Sequence, residues 1–283
     1  MFVTINETIV DGTDLGISVI DRGFLLGDGV FETLRVYSGK PFRLDDHLRR
    51  LSEASVRTGI PLTDKVESVV LGEVERATGT GLRDALVRIT LTRGTGFGLG
   101  ANPGRATLVT MVDVLPVLNP DWYSRGIRVV TASGRRNEFA PSAGLKTTAY
   151  LDAILAFRAG RDNGADDAIF LDTRDHLSEA TASNLFVVAD GTLYTPPLEC
   201  GALPGITRAL VIELAKGAGI RVVANQTLEA SVLRSATELF LTSSIREIVP
   251  VVSCDDFPIG SGAPGPVASQ MVSAYAEVTR FSS

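Results

Sequence analysis

The stretch AGLKTTAYLDAILAFRAG, residues 143–160, places a single lysine, Lys146, at the entrance of an apolar segment rich in alanine and leucine. Leu151, Ile154 and Leu155 recur at helical spacing, so the residues after the lysine are predicted to form a helix. Two interpretations of Lys146 are open. A lysine in the first turn of a helix can lay its apolar stem on the surface and keep its charge in water. A lysine held partly away from water can instead use its amine in covalent chemistry.

Composition excludes several classes of protein. The 283-residue chain has a net charge of −6 and scattered arginines, so it lacks the basic patch typical of nucleic-acid binding. It contains two cysteines, Cys200 and Cys254, and two histidines, His47 and His176, which is too few for a disulfide framework or a His-rich metal site. No apolar run reaches the roughly 18 residues of a membrane helix. We therefore expect a cytoplasmic protein with no metal and no membrane or nucleic-acid partner.

The first part of the chain, residues 1–115, is predicted to be a small α+β domain. MFVTINETIV alternates like one strand, and DGTDLG follows as a turn. GVFETLRVYSGKPFRL is predicted to form two strands joined at Ser38-Gly39. LDDHLRRLSEASVRTGI and DKVESVVLGEVERATG have the periodicity of helices. Strand alternation places Val30, Glu32, Leu34 and Val36 on one face, and Phe31, Thr33, Arg35 and Tyr37 on the other.

A break in composition separates this domain from the rest. PVLNPDWYSRG carries two prolines, so residues 116–126 are predicted to be an interdomain linker. Residues 127–283 then alternate strand and helix patterns and form a larger domain with a strand-rich core flanked by helices. The sequence therefore predicts a two-domain α+β fold.

Two segments of the second domain could bind an anion. In ALPGITRALVIELA, Gly205, Ile206 and Thr207 open a helix whose unpaired backbone N–H groups favour a phosphate. In LFLTSSIREIVPV, three hydroxyl residues, Thr242 to Ser244, end a strand. Both segments also have an ordinary structural interpretation, since most helix starts bind nothing and hydroxyl residues often cap turns.

Three other polar groups have the same ambiguity. Glu179 in HLSEATASNLF lies among small residues at a strand edge, five residues before Asn184. It could be a loop cap, form a salt bridge with one of the many arginines, or hold a proton on a heteroaromatic nitrogen. Of Arg49 and Arg50 in DDHLRRLSEA, one could point into an anion site. An amine, a phosphate cup and a carboxylate together are what a pyridoxal phosphate enzyme requires.

The order of these motifs resembles that of the class IV aminotransferases, the fold-type IV pyridoxal phosphate enzymes. This family includes branched-chain aminotransferases, D-amino-acid aminotransferases and aminodeoxychorismate lyases. The resemblance covers most of the chain and rests on DRGFLLGDGVFETLRVY, HLRRL, LKTTAYL, LSEATASNLFVV, LPGITR and LFLTSSIREIVPV. It favours the covalent interpretation of Lys146.

The resemblance implies a role for each motif. Lys146 would form the Schiff base with pyridoxal 5'-phosphate and then move the substrate proton, giving ping-pong transamination between an amino acid and a keto acid such as 2-oxoglutarate or pyruvate. Glu179 would pair with the pyridine nitrogen, and Tyr150 would reach the phenolic oxygen. The remaining cofactor-binding residues would be Arg50, Asn184, Gly205, Ile206, Thr207, Ser243 and Ser244.

The motifs near the expected substrate pocket resemble more than one branch of the family. Phe31, Thr33 and Arg35 and the phrase GLGANP resemble branched-chain enzymes, whereas LTRG and the spacing after Lys146 resemble the D-amino-acid enzymes and the lyases. Arg35, Arg88 and Arg93 are the candidates for binding the substrate carboxylate. Three further arginines, Arg135, Arg136 and Arg246, are possible but follow no clear pattern.

We expect an aminotransferase for branched-chain or D-amino acids, with 4-amino-4-deoxychorismate lyase, which gives 4-aminobenzoate, as the alternative. The family assembles as homodimers, and the Gly-rich loop 94–104 is the segment that could complete a partner's site.

Overall fold

A computed structural model describes residues 1–10, 16–101 and 104–281. The chain divides into two compact units. The first contains Met1–Pro116, Leu145–Ala149 and the C-terminal residues from Thr279, and the second contains Val117–Gly144 and Tyr150–Val278. The predicted linker at 116–126 lies where the second unit begins. Residues 145–149 differ from the prediction, because the structure groups them with the first unit rather than with the large domain.

The first unit is a sheet with helices on one face. Its six described strands have the order β2-β1-β6-β5-β3-β4. The strands are β1 Phe2–Ile5, β2 Thr8–Val10, β3 Gly29–Tyr37, β4 Lys40–Pro41, β5 Ala85–Thr92 and β6 Thr107–Val114. The helices are α1 Arg22–Leu26, α2 Leu44–Thr58 and α3 Val66–Gly79.

The two faces of β3 have different environments, as its alternation predicts. Val30 and Leu34 are buried in a core with apolar residues of α2 and α3. Phe31 and Thr33 lie on the opposite face, where Thr33 pairs across the sheet with Arg88 of β5. Residues directly opposite in a ladder share a face, so this register brings an arginine beside the aromatic residue.

The N-terminal strand prediction is wrong in one respect. MFVTINETIV forms a hairpin of β1 and β2 rather than one strand, with Ile5 paired to Thr8. Asn6 and Glu7 have φ angles of 48° and 69°, which are typical of a tight two-residue hairpin turn. The turn expected at DGTDLG falls largely on residues 11–15, outside the described ranges.

Lys146 lies in an extended segment before helix α5, Leu151–Asp162, and not within the helix. The Phe31 N–H donates to the Lys146 carbonyl at 2.8 Å, and the Thr148 N–H donates to the Gly29 carbonyl at 2.9 Å. The Thr148 hydroxyl also donates to the Gly27 carbonyl at 2.8 Å. The start of β3 therefore fixes the main chain from the Lys146 carbonyl to Thr148.

The second unit is a larger sheet with the order β12-β11-β10-β13-β14-β7-β8-β9, and a short strand, β15, pairs with β14. Its strands are β7 Ile127–Arg136, β8 Asp167–Asp172, β9 Leu177–Ala180, β10 Asn184–Ala189, β11 Thr192–Tyr194, β12 Val222–Val223, β13 Glu238–Ser243, β14 Glu247–Cys254 and β15 Phe257–Pro258. Its helices are α4 Asp121–Ser124, α5, α6 Ile206–Gly217 and α7 Pro266–Phe281, the last of which ends in residues grouped with the first unit.

Two strands of this sheet are buried along their whole length. Every residue of β8 and β10 is buried, as expected for strands covered on both faces. The mixed helix and strand content confirms the predicted α+β fold class. Within the described ranges, no helix is both long and apolar enough to cross a membrane.

Candidate active site

In the first unit, two cationic groups contact the ring of Phe31. The amine of Lys146 lies 4.6 Å from the ring centroid. The guanidinium carbon of Arg88 lies 3.4 Å from the same centroid, and its Nε donates to the Thr90 hydroxyl at 3.2 Å. Both contacts are within cation–π range. The structure thus brings together three predicted site residues: the lysine, one substrate-pocket residue and one carboxylate candidate.

The other two arginine candidates have different neighbours. The guanidinium of Arg35 lies 4.6 Å from the ring centroid of Tyr37, further along β3. Arg93 donates to Asp28 from Nε at 2.8 Å and from Nη2 at 3.1 Å, and to the carbonyls of Thr58 and Gly59. These bonds tie Arg93 to the end of α2. Arg88 is therefore the carboxylate candidate that shares a surface with Lys146.

Arg50 contacts a buried carboxylate on the other side of the sheet. Its Nε and Nη2 donate to the two oxygens of Glu32, at 2.7 Å and 2.6 Å. The His47 ring Nδ1 lies 2.7 Å from Oε2 of the same carboxylate. Burial by itself raises the pKa of Glu32, but the hydrogen bonds and charge of Arg50 and His47 outweigh it and lower the pKa to about 2.

In the second unit, Glu179 on β9 contacts Leu203 and Arg136. Its Oε2 accepts the Leu203 N–H at 2.9 Å, and its Oε1 lies 3.1 Å from Nε of Arg136. A salt bridge from Glu179 to an arginine was one of the alternatives open from the sequence, but scattered arginines give no local indication of which one meets a given carboxylate. An adjacent positive charge favours the ionised form of a carboxylate.

Asn184 connects Leu203, which contacts Glu179, with the residues predicted to bind the phosphate. Its amide donates to the Leu203 carbonyl at 2.8 Å, and it pairs across the ladder with Thr242. A Cβ on Gly205 would lie 1.9 Å from the Asn184 amide oxygen, so the close approach needs a glycine. The end of β13, the start of β10 and the N-terminus of α6 therefore meet at one place.

The hydroxyl-rich end of β13 is held by an ion pair. Arg246 Nη2 donates to the buried carboxylate of Asp167 and, at 2.9 Å, to the Ser183 hydroxyl. The Arg246 N–H donates to the Ser243 hydroxyl at 3.2 Å. These bonds connect the SSIR turn, which carries Ser244, to the segment that follows Glu179.

The family model for "Amino-transferase class IV" matches residues 29–254. The chain belongs to the class IV aminotransferase family. This confirms the resemblance on which the site residues were predicted, and it makes the protein a pyridoxal phosphate-dependent transaminase.

Curated relatives cover nearly the whole class IV chain. It is 37% identical to a protein of Methanocaldococcus jannaschii provisionally named as a branched-chain-amino-acid aminotransferase, over 98% of this chain and 96% of that one. It is 30% identical to the D-alanine aminotransferase of Bacillus licheniformis, over 97% of this chain and 95% of that one.

Solved structures agree with this family assignment. The branched-chain amino acid aminotransferase of Escherichia coli has a TM-score of 0.90 at 28% identity, over 98% of this chain and 94% of that one. The branched-chain aminotransferase of Thermoproteus uzoniensis, solved with norvaline, has a TM-score of 0.89 at 27% identity, over 100% and 95%. A provisionally named 4-amino-4-deoxychorismate lyase of Legionella pneumophila has a TM-score of 0.85 at 29% identity, over 93% and 95%.

The residues of this class IV chain fit the cofactor. Gly205 precedes α6 without a side-chain cap, so the first N–H groups of the helix are available in the way that phosphate sites require. The Thr242 hydroxyl, in a residue that is 2% exposed, has no hydrogen-bond partner among the described residues. A buried hydroxyl without a partner is costly, and a bound phosphate would satisfy it.

The class IV chain also contains a group of possible metal ligands. Donor atoms of Asp172, His176 and Cys200 lie within 4.8 Å of one another. The sequence predicted no metal site, because the chain contains few histidines and cysteines. Asp172 Oδ1 accepts the N–H groups of Arg174 and His176, both at 2.9 Å, and Oδ2 lies 3.1 Å from His176 Nδ1. These bonds close the turn between β8 and β9 and give the group a structural role.

Proposed function

We propose that this chain transfers the amino group between an amino acid, of the branched-chain or D-type, and a keto acid such as 2-oxoglutarate or pyruvate, by ping-pong turnover. The observation that carries the proposal is the shared contact of Lys146 and Arg88 with the Phe31 ring. A nucleophilic amine and a group able to bind a carboxylate thus lie on one apolar surface. This is the pair of functions that an α-amino acid requires.

Lys146 acts as the catalytic base and acid. Its amine would hold the cofactor and, in its neutral form, would take the proton from the substrate Cα. When bound, pyridoxal phosphate supplies the electron sink that makes this proton removable. The main-chain bonds at the Lys146 carbonyl and at Thr148 support the role, because they limit the positions that the amine can reach.

Glu179 is proposed to hold a proton on the pyridine nitrogen. Its contact with Arg136 supports this role, since a carboxylate kept ionised is the form that stabilises a protonated ring nitrogen. Tyr150 is proposed to contact the phenolic oxygen of the cofactor. Asn184 is proposed to hold the main chain next to the phosphate site through its hydrogen bond to the Leu203 carbonyl.

Several groups are proposed to bind the phosphate. The uncapped N-terminus of α6 supplies backbone N–H donors, and Arg50 supplies charge. The proposed set is Arg50, Gly205, Ile206, Thr207, Ser243 and Ser244.

Phe31 and Thr33 are proposed to line the substrate pocket, and Arg88 is favoured over Arg35 and Arg93 for the carboxylate. The relatives from Methanocaldococcus jannaschii and Bacillus licheniformis, named for branched-chain and D-alanine transamination, support the two donor classes.

We further infer a homodimer in the cytoplasm. Both cysteines are buried and unpaired, which is typical of a reducing compartment. The loop 94–104 is proposed to complete the partner's site, although residues 102 and 103 lie outside the described ranges.

A half-reaction with single amino acids tests the proposal. Each L- or D-amino acid is mixed with the holoenzyme, and conversion of the cofactor absorbance band is followed without any keto acid. Conversion by branched-chain or D-amino acids, with turnover only when an acceptor is added, is the expected result. Conversion that persists in Lys146→Ala, or borohydride reduction that attaches the cofactor to another lysine, would overturn the mechanism.

The lyase remains the alternative because of the Legionella pneumophila structure. Aminodeoxychorismate is therefore included in the substrate panel. Release of 4-aminobenzoate without any acceptor would favour the lyase, whereas keto acid formation that depends on an acceptor favours the transaminase.

A further inference from the structure

Glu32 is a carboxylate on the apolar side of the first sheet. It alternates along β3 with Val30 and Leu34, and it is 1% exposed. A buried carboxylate is costly unless it is paired and hydrogen-bonded. Glu32 plays no part in the proposed transamination chemistry, so its presence in this core requires another explanation.

Its two partners come from one turn of α2. His47 and Arg50 are three residues apart and therefore lie on the same side of the helix. Arg50 meets both carboxylate oxygens, at 2.7 Å from Nε and 2.6 Å from Nη2. A two-point contact of this kind fixes the plane of a guanidinium, which one hydrogen bond would leave free to rotate.

The direction of the remaining N–H groups follows from this contact. A guanidinium has five N–H donors in a rigid plane, so fixing the edge formed by Nε and Nη2 also fixes where Nη1 points. The His47 ring, 2.7 Å from Oε2, restrains the carboxylate in turn.

We propose that Glu32 is a positioning residue, restrained by His47, that holds Arg50 in the single orientation in which its guanidinium binds the cofactor phosphate. This inference rests on the proposed phosphate role of Arg50. A group held in place loses less conformational freedom when its ligand binds, so the affinity for the phosphate increases.

Charge and orientation predict opposite effects of removing Glu32. The ion pair of Glu32 and Arg50 has no net charge. Glu32→Gln leaves Arg50 with an uncompensated positive charge, which by attraction alone would bind a phosphate more tightly. Loss of the two-point contact would instead let the guanidinium rotate and would weaken phosphate binding.

The test compares two ligands of the full-length apoenzyme, pyridoxal phosphate and pyridoxal, which lacks the phosphate. For Glu32→Gln we expect the Kd for pyridoxal phosphate to rise about 10- to 100-fold, the range that corresponds to losing a hydrogen bond to a charged group. The Kd for pyridoxal should stay unchanged. Phosphorus NMR of bound pyridoxal phosphate should also show a shifted resonance.

Glu73→Gln is the matched control. Glu73 is another buried glutamate of the first unit, and it pairs with Arg76 at 2.8 Å instead of Arg50. Its loss should lower stability without changing the ratio of the two Kd values. A Glu32→Gln variant that weakens both ligands equally, or binds pyridoxal phosphate more tightly, would overturn the proposal.

Arg50→Gln separates this inference from the proposed function. If Arg50→Gln leaves the ratio of the Kd values for pyridoxal phosphate and pyridoxal unchanged, Arg50 does not bind the phosphate. If Arg50→Gln changes this ratio and Glu32→Gln does not, Arg50 binds the phosphate but Glu32 does not position it. In the double variant, Glu32→Gln should add nothing to the effect of Arg50→Gln. His47→Phe should raise the ratio by a smaller factor than Glu32→Gln does. If the ratio does not rise, His47 does not restrain Glu32 in the way proposed.

Discussion

At the scale of single residues, the Phe31 ring is contacted by the Arg88 guanidinium and the Lys146 amine. The ring excludes water from part of each cation, and the negative face of its π-system attracts both. A substrate carboxylate near Arg88 would gain a charge-assisted hydrogen bond in surroundings that are less polar than water.

We expect Arg88→Gln to lower kcat/KM for the amino donor about 10- to 100-fold, mainly through KM, because it removes a hydrogen bond to a charged group. Steady-state kinetics with a fixed keto acid measures this change. Arg128→Gln, at an exposed residue of β7, is the control and should change neither constant. A normal KM in Arg88→Gln would show that another group binds the carboxylate.

The buried Glu32 should make the free energy of unfolding depend on pH in the acidic range. Its pKa is lowered from 4.5 to about 2, so the folded state favours the charged form, and the stabilisation is complete above the ordinary pKa. It is lost as the pH falls from about 4.5 to about 2.

We therefore expect the urea midpoint of the wild type to fall more steeply over this pH range than that of Glu32→Gln, which cannot titrate there. Equal slopes for the two proteins would show that Glu32 has the same pKa in the folded and unfolded states.

At the scale of secondary-structure elements, the start of α6 depends on close packing. Gly205 lies against Asn184, which in turn holds the Leu203 carbonyl. A side chain at this glycine would displace Asn184 and move the backbone N–H groups that are proposed to bind the phosphate.

Gly205→Ala should therefore weaken pyridoxal phosphate binding about tenfold or more, since overpacking costs about 1–3 kcal/mol. The measurement is a fluorescence titration of the apoenzyme. Gly217→Ala at the other end of α6 is the control, because a Cβ there meets no atom within 4 Å. It should leave binding unchanged and raise stability by at most about 1 kcal/mol.

At the scale of the whole molecule, the first unit exposes an apolar patch. Phe24 on α1 is 69% exposed, and Phe97 and Leu99 of the Gly-rich loop are 83% and 87% exposed. The two segments are adjacent, because the Gly96 N–H donates to the Ile20 carbonyl at 3.0 Å. Contiguous exposed apolar surface of this kind is typical of a protein–protein interface.

Phe24→Glu should convert the proposed dimer to a monomer, because it places a charge in this patch. Light scattering coupled to size-exclusion chromatography measures the mass. Val56→Glu, at an exposed position of α2, is the control and should remain dimeric. A monomeric wild type would contradict the homodimer, and a dimeric Phe24→Glu would place the interface elsewhere.

The sequence alone determined the family and most elements, and it predicted Lys146 as the nucleophile. Its motifs occur in the order of the class IV aminotransferases. Local spacing predicted α2, which Gly59 follows, and the opposite faces of Phe31 and Glu32. These features depend on neighbouring residues, whose side-chain directions follow directly from the helix and strand repeats.

Only the tertiary structure decided which distant groups meet. It placed Lys146 in an extended segment bonded to β3, selected Arg136 as the partner of Glu179, and aligned Asn184 with Gly205. It also folded MFVTINETIV into a hairpin whose turn lacks glycine. Contacts between residues far apart in the chain depend on the packing of whole elements, and local sequence patterns do not encode that packing.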